Sequence, residues 1–297
     1  VYKRQVYALL NEVKNRYLVQ PVPVSTGFSV SGIDLGSRNF RPVQKPEAMM
    51  LIGNGVSSYE AGEVWHLLDT RLHMPITKLK TDQFSRADLD KYNTIVLVSG
   101  SYSSLDSTQI AKLKTWVSKG NTLITSREAT SWAIKKKLVE ESLVDADKEK
   151  ESEEEKKDTA VTRQPYVNAS NDYGQSRVGG AIFNVQLDIT HPLAFGYHDS
   201  VIPVYRNSNV WLKPSKNKYS TVAAYTSDPH VDGFISQKNL NDNLKGSASL
   251  IVSGIGSGRV VMFADNPNFR SSWYGTNRLL LNALMLGNHI QVPRQVE

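Results

Sequence analysis

Two histidines and an aspartate have the one spacing in this sequence that resembles a metal site. His66, Asp69 and His73 lie at i, i+3 and i+7, so one helix face could present two imidazoles and a carboxylate, which suit zinc. The apolar residues of the same segment fall on the opposite face, and a Met-Pro pair directly follows His73. We therefore interpret the three side chains as a solvated helix face and expect no metal in this chain.

The sequence of 297 residues contains no cysteine, which excludes a disulfide, a thiolate zinc ligand and a cysteine nucleophile. A serine nucleophile needs a base, and no histidine has a sequence context that places it beside Ser99 or Ser126. Three candidates for acid–base catalysis remain: Glu128, His191 and Asp265. They would have to converge within hydrogen-bond reach to act on a small amide or peptide. A proline follows His191, which also fits a rigid turn.

Polar and aromatic residues follow several predicted strands and can contact a ligand where those strands end. In doubly wound sheets, ligands bind at the carboxyl ends of the strands, where a helix N-terminus can also hold an anion. Aromatic side chains at such an edge could form a platform for a sugar or a peptide. The candidate ligand-binding residues are Ser57, Ser58, Tyr59, Glu60, Ser99, Tyr102, Asn268, Arg270, Trp273 and Tyr274.

Several of these candidates also have a purely structural interpretation. Ser57 and Glu60 match the S-x-x-E capping box, in which each side chain accepts a hydrogen bond from a backbone N–H at the helix start. Asp265 and Arg270 could pair and fix the loop after the last strand. Trp273 and its aromatic neighbours could pack against the final helix. Both kinds of interpretation stay open from the sequence alone.

The elements that must position these residues alternate between strand and helix from residue 46 onward. Residues 49–52 are a short apolar run typical of a strand buried on both faces, and a Gly-rich turn and a capped helix follow. That helix has one apolar stripe, formed by Ala61, Val64, Trp65, Leu68 and Leu72. Further strands are predicted at 75–79, 93–100 and 121–125, with helices at 105–118 and 129–139. The alternation predicts a doubly wound α/β sheet.

The second half of the chain is richer in predicted strands. These strands lie at 181–187, 201–205, 222–225, 249–253 and 260–264, and a final helix lies at 277–286. A Gly-rich segment at 254–259 has the length and composition of a hairpin turn.

Composition and charge divide the chain into regions. We expect an extended leader or linker at 1–45 with one helix at 1–18, an α/β domain at 46–290, and a tail at 291–297. Residues 140–178 begin with a run of Glu, Asp, Lys and Ser, which we interpret as an acidic surface insertion rather than an interaction tail. The chain begins with valine, and we expect it to be a piece of a longer protein.

Bulk properties exclude two classes of partner. The net charge is +6, but the basic residues are scattered and do not alternate with aromatic residues, so we expect no nucleic-acid binding. No apolar run approaches the ~20 residues of a membrane span, so none is expected.

Four motifs resemble one known family. They lie at 56–69 (VSSYEAGEVWHLLD), 191–197 (HPLAFGY), 258–265 (GRVVMFAD) and 266–278 (NPNFRSSWYGTNR). They are similar to the class I glutamine amidotransferase-like domain that follows the catalytic domain in large secreted zinc carboxypeptidases of the carboxypeptidase A superfamily, found in Bacteroidetes-type bacteria. The resemblance covers about 33–287. It implies a flavodoxin-like, mostly parallel sheet with helices on both faces, a periplasmic or secreted location, and an upstream carboxypeptidase as the partner.

The chain departs from that family's enzymes in two ways. A working amidotransferase holds a cysteine on the sharp turn after a central strand, and here Arg127 or Glu128 takes that place in the turn at 125–130. No H-x-x-E zinc motif occurs, so zinc is expected only in the missing catalytic domain. We therefore expect a pseudoenzyme that acts as a non-catalytic accessory or ligand-binding domain. The alternatives are a cysteine-less amidohydrolase-like enzyme and a glycan- or peptide-binding module that uses Tyr59, Tyr102 and Trp273.

Overall fold

The computed structural model describes residues 2–144 and 163–293 and divides the chain into two compact units. The first unit, Val1–Pro42, contains helix α1, Tyr2–Tyr17, which has no buried residue and lies where the sequence predicts a helix. The second unit, Val43–Glu297, holds all the strands. Residues 145–162 of the acidic insertion and 294–297 of the tail lie outside the described residues.

The second unit is built on one nine-stranded sheet with the order β2-β1-β3-β4-β9-β8-β7-β5-β6. The strands are β1 Ala48–Ile52, β2 Thr77–Lys80, β3 Thr94–Leu97, β4 Thr122–Ser126, β5 Ala181–Leu187, β6 Val201–Arg206, β7 Thr221–Gly233, β8 Ala248–Ile255 and β9 Gly258–Phe263. Each predicted strand therefore matches one described strand in place, but β7 extends eight residues beyond its predicted end and β3 is shorter than predicted.

Five adjacent strands form the parallel core of this sheet. β1 pairs in parallel with β2 and β3, β3 pairs with β4, and β4 pairs with β9. Counted along the core, this is the strand order 2-1-3-4-5 of flavodoxin-like proteins, which confirms the predicted fold class. The hairpin between β8 and β9 then reverses the chain, and β8, β7, β5 and β6 extend the sheet with antiparallel pairs.

Helices cover both faces of the parallel core. Besides α1 and a three-residue helix at Gln237–Asn239, the described α-helices are α2 Ser58–His66, α3 Ser107–Ser118, α4 Glu128–Lys135, α5 Ala169–Gln175 and α6 Tyr274–Leu286. Apolar side chains of α2 and α6 share one core cluster with Met50, whereas those of α3 and α4 share the other with Met49 and Leu51. Alternate residues of β1 thus point to opposite helix layers, as expected for a strand buried on both faces. None of the described helices is long and apolar enough to cross a membrane.

The apolar stripe predicted for α2 is only partly correct. A π-helical turn, Leu67–Arg71, continues α2 and changes the spacing of its side chains. Leu67 is buried, whereas Trp65 is exposed. The Nζ of Lys78 lies over the Trp65 ring, 3.7 Å from its centroid. Leu67 thus joins the buried face and Trp65 leaves it, whereas Ala61, Val64 and Leu68 are buried as predicted. His66, Asp69 and His73 are exposed, in agreement with the solvated-face interpretation.

Candidate functional site

The candidate site is the sharp turn between β4 and α4 at the carboxyl edge of the parallel sheet. Arg127 is the one residue between Ser126, which ends β4, and Glu128, which begins α4, and its backbone has φ 52° and ψ −121°. A non-glycine residue reaches this conformation only under strain, which is typical of functional turns. The N–H of Arg127 donates to the carbonyl of Phe263 at 2.9 Å. Of the two residues that the sequence analysis considered in this turn, Arg127 has the strained backbone and Glu128 begins the helix.

The guanidinium of Arg127 contacts acceptors from three parts of the chain. Nη1 donates to Oε1 of Glu60 at 2.5 Å, and Nη2 donates to the carbonyl of Asn207 at 3.0 Å and to Oε1 of Glu128 at 3.4 Å. The side chain of Arg127 is 18% exposed and that of Glu60 is 6% exposed. The turn therefore contains a largely buried ion pair between Arg127 and Glu60.

Glu60 does not complete the predicted capping box. Ser57 is the N-cap of α2, and its side chain accepts from the N–H of Glu60 at 3.3 Å, which confirms one half of the prediction. The other half is wrong, because the carboxylate of Glu60 points to Arg127 and accepts the N–H of Ser99 at 3.1 Å. Burial raises the pKa of Glu60 above its usual 4.5, although the charge of Arg127 and the bond from Ser99 oppose the rise.

Little space is open in the crevice beside Arg127, at the carboxyl ends of the parallel strands. The hydroxyl of Ser99 donates to Oε2 of Glu128, so this serine already has an acidic partner. A cavity beneath the turn, lined by Glu60, Ser126 and Asn266, has a volume of about 10 Å³. That volume suits about one water rather than a substrate.

Three further candidate ligand-binding residues, Ser58, Tyr59 and Tyr102, differ in their exposure to solvent. Ser58 is exposed, and Tyr59 is 86% exposed, at the start of α2. Tyr102 is fully buried, its ring packs 5.4 Å from that of Trp132, and its hydroxyl donates to the carbonyl of Val98 at 2.7 Å. The expectation that Tyr102 faces the crevice is therefore wrong, because its turn folds the ring back into the core.

Asp265 is paired with Arg206 rather than with Arg270. Oδ1 of Asp265 accepts from Nη1 of Arg206 at 2.8 Å, and Oδ2 accepts from the hydroxyls of Tyr225 and Ser249. Arg206 is fully buried. The predicted Asp265–Arg270 pair is thus replaced by a buried network, which the sequence did not indicate because Arg206 and Asp265 are far apart along the chain.

The loop after β9 is held by Glu63, a residue that the sequence interpretation did not select. Its carboxylate accepts from the side chain of Asn266 at 2.6 Å and from the N–H of Arg270 at 2.8 Å. Its backbone carbonyl accepts from the side chains of Asn268 at 2.8 Å and Ser271 at 2.9 Å. Glu63 therefore joins the first and the last of the four motifs. Its place in the first motif, three residues after Glu60, is the sequence feature that could have identified it.

The aromatic residues of this loop do not form one platform. Phe269 stacks on Tyr205 with 3.8 Å between ring centroids, and Trp273 lies 6.1 Å from Tyr205. Tyr274 is exposed, and the guanidinium of Arg71 lies 4.4 Å from its ring centroid. Trp273 thus lies beside Tyr205 of β6 rather than against the final helix, whereas Tyr274 contacts the far end of the α2 segment.

His191 lies apart from the turn at Arg127. Its Nδ1 accepts the N–H of Leu193 at 3.1 Å and caps the short turn Pro192–Ala194, which agrees with the rigid-turn interpretation. Burial lowers the pKa of His191, although the charge of Asp188 opposes this. Within residues 2–144 and 163–293, no hydrogen bond or pocket joins His191 to Glu128 or Asp265. The three acid–base candidates therefore do not form a common site.

We expect the replacement of Glu63 by alanine to loosen the loop at 266–271. Arg270 and Ser271 both have φ 52°, an unfavourable conformation for non-glycine residues, and the alanine variant loses two hydrogen bonds to a carboxylate. Each such bond contributes about 1.5–3 kcal/mol, so the expected total loss is about 2–4 kcal/mol because the loop is part-exposed. Hydrogen exchange of the amide of Arg270 measures the local effect, and Glu47→Ala, at an exposed carboxylate, is the control. Unchanged exchange at Arg270 would contradict the role of Glu63.

Several solved structures are similar to this chain, and the first of them supports the fold. A ThuA-like protein from Parabacteroides merdae is 14% identical, covers 85% of this chain and 93% of its own, and has a TM-score of 0.52. A ThuA-like protein from Bacteroides uniformis is 12% identical, covers 82% and 92%, and has a TM-score of 0.46. A glutamine amidotransferase from Thermotoga maritima is 9% identical, covers 82% and 99%, and has a TM-score of 0.45.

The other two comparisons found nothing. No protein-family model matches this sequence, and no curated protein matches it. The class of protein is therefore defined by the strand order, the strand–turn–helix unit at Arg127 and the likeness to the first ThuA-like structure. It is an α/β protein of the flavodoxin-like, amidotransferase-like fold.

Proposed function

We propose that this chain is a non-catalytic accessory or ligand-binding domain of a larger zinc-dependent carboxypeptidase. In this proposal the peptidase domain lies upstream in the same polypeptide and holds the zinc. The chain described here contributes a docking or ligand-contacting surface instead of a reaction.

The observation that carries the non-catalytic part is the identity and bonding of Arg127. A guanidinium is protonated at all ordinary pH values and has no free electron pair to attack a carbonyl. It is also engaged by Glu60 and Glu128, so both carboxylates that contact it are ion-paired with it. An amidohydrolase that uses Glu128, His191 and Asp265 is not favoured, because those residues belong to three separate networks.

The ligand-binding part is supported by what stays accessible at the same edge. The side chain of Glu128 is 45% exposed, and the ring of Tyr59 is 86% exposed at the start of α2. A carboxylate and an aromatic ring beside a strained turn can contact a polar ligand, and a peptide or a glycan are the candidates.

The carboxypeptidase part rests on the resemblance of the four motifs. A periplasmic or secreted location belongs to the same part of the proposal. The carboxypeptidase and the location are both inferred from the family that the motifs resemble. Identification of the upstream domain tests both.

The test is to measure metal content and hydrolysis with the purified chain, alone and mixed with the separately expressed upstream domain. We expect no stoichiometric zinc, no carboxypeptidase or glutaminase activity from the chain alone, and a change in the activity or thermal stability of the upstream domain on mixing. Stoichiometric zinc or hydrolysis by the chain alone would overturn the non-catalytic part. No effect on the upstream domain would overturn the accessory part.

A further inference from the structure

A second candidate site surrounds His191, away from the crevice at Arg127. A cavity of about 210 Å³ lies beside the turn that follows β5. Its polar lining includes three residues with different chemistry: Asp188, His191 and Lys218. Its apolar wall includes Pro192, Val252 and Val292. This volume is below the ~300–1,000 Å³ of pockets for drug-sized molecules, so it suits a smaller ligand.

The hydrogen bond at Nδ1 decides which nitrogen of His191 carries a proton. Nδ1 accepts the N–H of Leu193 at 3.1 Å, so the neutral imidazole must carry its proton on Nε2. Burial lowers the pKa of His191, which favours that neutral form near pH 7. His191 therefore offers one neutral N–H donor to the cavity that it lines.

The two charged residues supply one charge of each sign. Oδ1 of Asp188 accepts from the N–H of Thr190 at 2.9 Å and from its hydroxyl at 2.6 Å, which orients the carboxylate. Across residues 2–144 and 163–293, Oδ2 of Asp188 and Nζ of Lys218 make no hydrogen bond or ion pair with the protein. One acceptor and one donor of opposite charge are thus available beside the donor of His191.

We propose that this pocket binds a free α-amino acid with a short apolar side chain. The ammonium pairs with Asp188, the carboxylate pairs with Lys218 and accepts the N–H of His191, and the side chain packs on the apolar wall. Asp188 and Lys218 are both exposed, so either can reach a ligand in the pocket. A zwitterion is favoured over a simple anion or cation, because it can form a charge-assisted hydrogen bond with each of them.

The test is isothermal titration calorimetry of the full chain with three probes that differ by one group. L-leucine has both charges, leucinamide lacks the carboxylate, and N-acetylleucine lacks the ammonium. We expect saturable binding of leucine, and each of the other two probes should bind about tenfold or more weakly, because each loses one charged hydrogen bond. Absence of saturable binding of leucine, or equal binding of the three probes, would overturn the proposal.

Two variants test the assignment of residues. Lys218→Met should weaken leucine binding by about tenfold or more and reduce the preference for leucine over leucinamide, whereas Lys238→Met, at an exposed lysine outside the pocket, should not. His191→Asn keeps an acceptor for the N–H of Leu193, since asparagine is a good N-cap, but removes Nε2 and should also weaken binding. Leucine binding unchanged by both pocket variants would place the ligand elsewhere and overturn the proposal.

Discussion

Replacement of Asp265 by asparagine should lower the free energy of unfolding by about 3–5 kcal/mol, because it leaves Arg206 charged and buried without a counter-charge. Arg206 is 0% exposed, and its Nη1 donates to Asp265 at 2.8 Å and to the hydroxyl of Tyr225 at 3.0 Å. Its guanidinium also lies 4.2 Å from the ring centroid of Trp211. Because the side chain of Arg206 is 0% exposed, water does not solvate the unpaired charge. Urea denaturation followed by circular dichroism measures the effect.

The control for this prediction removes both charges. A double variant, Arg206→Met with Asp265→Leu, leaves no unpaired ion and should recover much of the lost stability, since buried pairs are often replaceable by apolar residues. A loss below about 1 kcal/mol in the single variant would contradict the prediction, since exposed ion pairs contribute about that much.

Replacement of Arg127 by alanine should lower the free energy of unfolding by about 3 kcal/mol, which is below the upper range for buried pairs because the side chain is part-exposed. Arg127→Gly should lower the free energy of unfolding by about 1–2 kcal/mol less than Arg127→Ala does, since glycine adopts φ 52° and ψ −121° without strain. The pair of variants therefore separates the charge from the backbone. Equal stability of the alanine and glycine variants would contradict the assignment of strain to this turn.

The same variants change the pH dependence of stability through Glu60. Burial raises the folded-state pKa of Glu60 above 4.5, so the unfolded chain releases this proton first. The protonated form of Glu60 therefore contributes to the free energy of unfolding. This contribution is full below pH 4.5 and declines as the pH rises through the folded-state pKa of Glu60. Without Arg127 the charge that opposes burial is lost, so the decline should extend to higher pH. Unfolding free energies measured from below pH 4.5 up to neutrality test this, and identical profiles for Arg127→Ala and the natural protein would contradict it.

The sequence was most informative where structure depends on neighbouring residues. β5 has the predicted bounds, and the N-cap at Ser57 and the parallel strand–helix units are as predicted. Apolar runs, caps and glycine turns act over a few residues, so their effect can be seen in the sequence. The sharp turn at 125–130 was also correctly placed, because a strand and a helix flank it.

The tertiary structure alone decided the partners of the charged side chains. Glu60 could cap its own helix or pair with Arg127, and Asp265 could pair with Arg270 or with Arg206. Nothing local distinguishes these choices. The distant partner was chosen in each case because the fold buries both charges together, and a buried charge needs an opposite charge within hydrogen-bond distance. Local patterns thus determined the elements of this protein, and the packing of distant strands determined its candidate site.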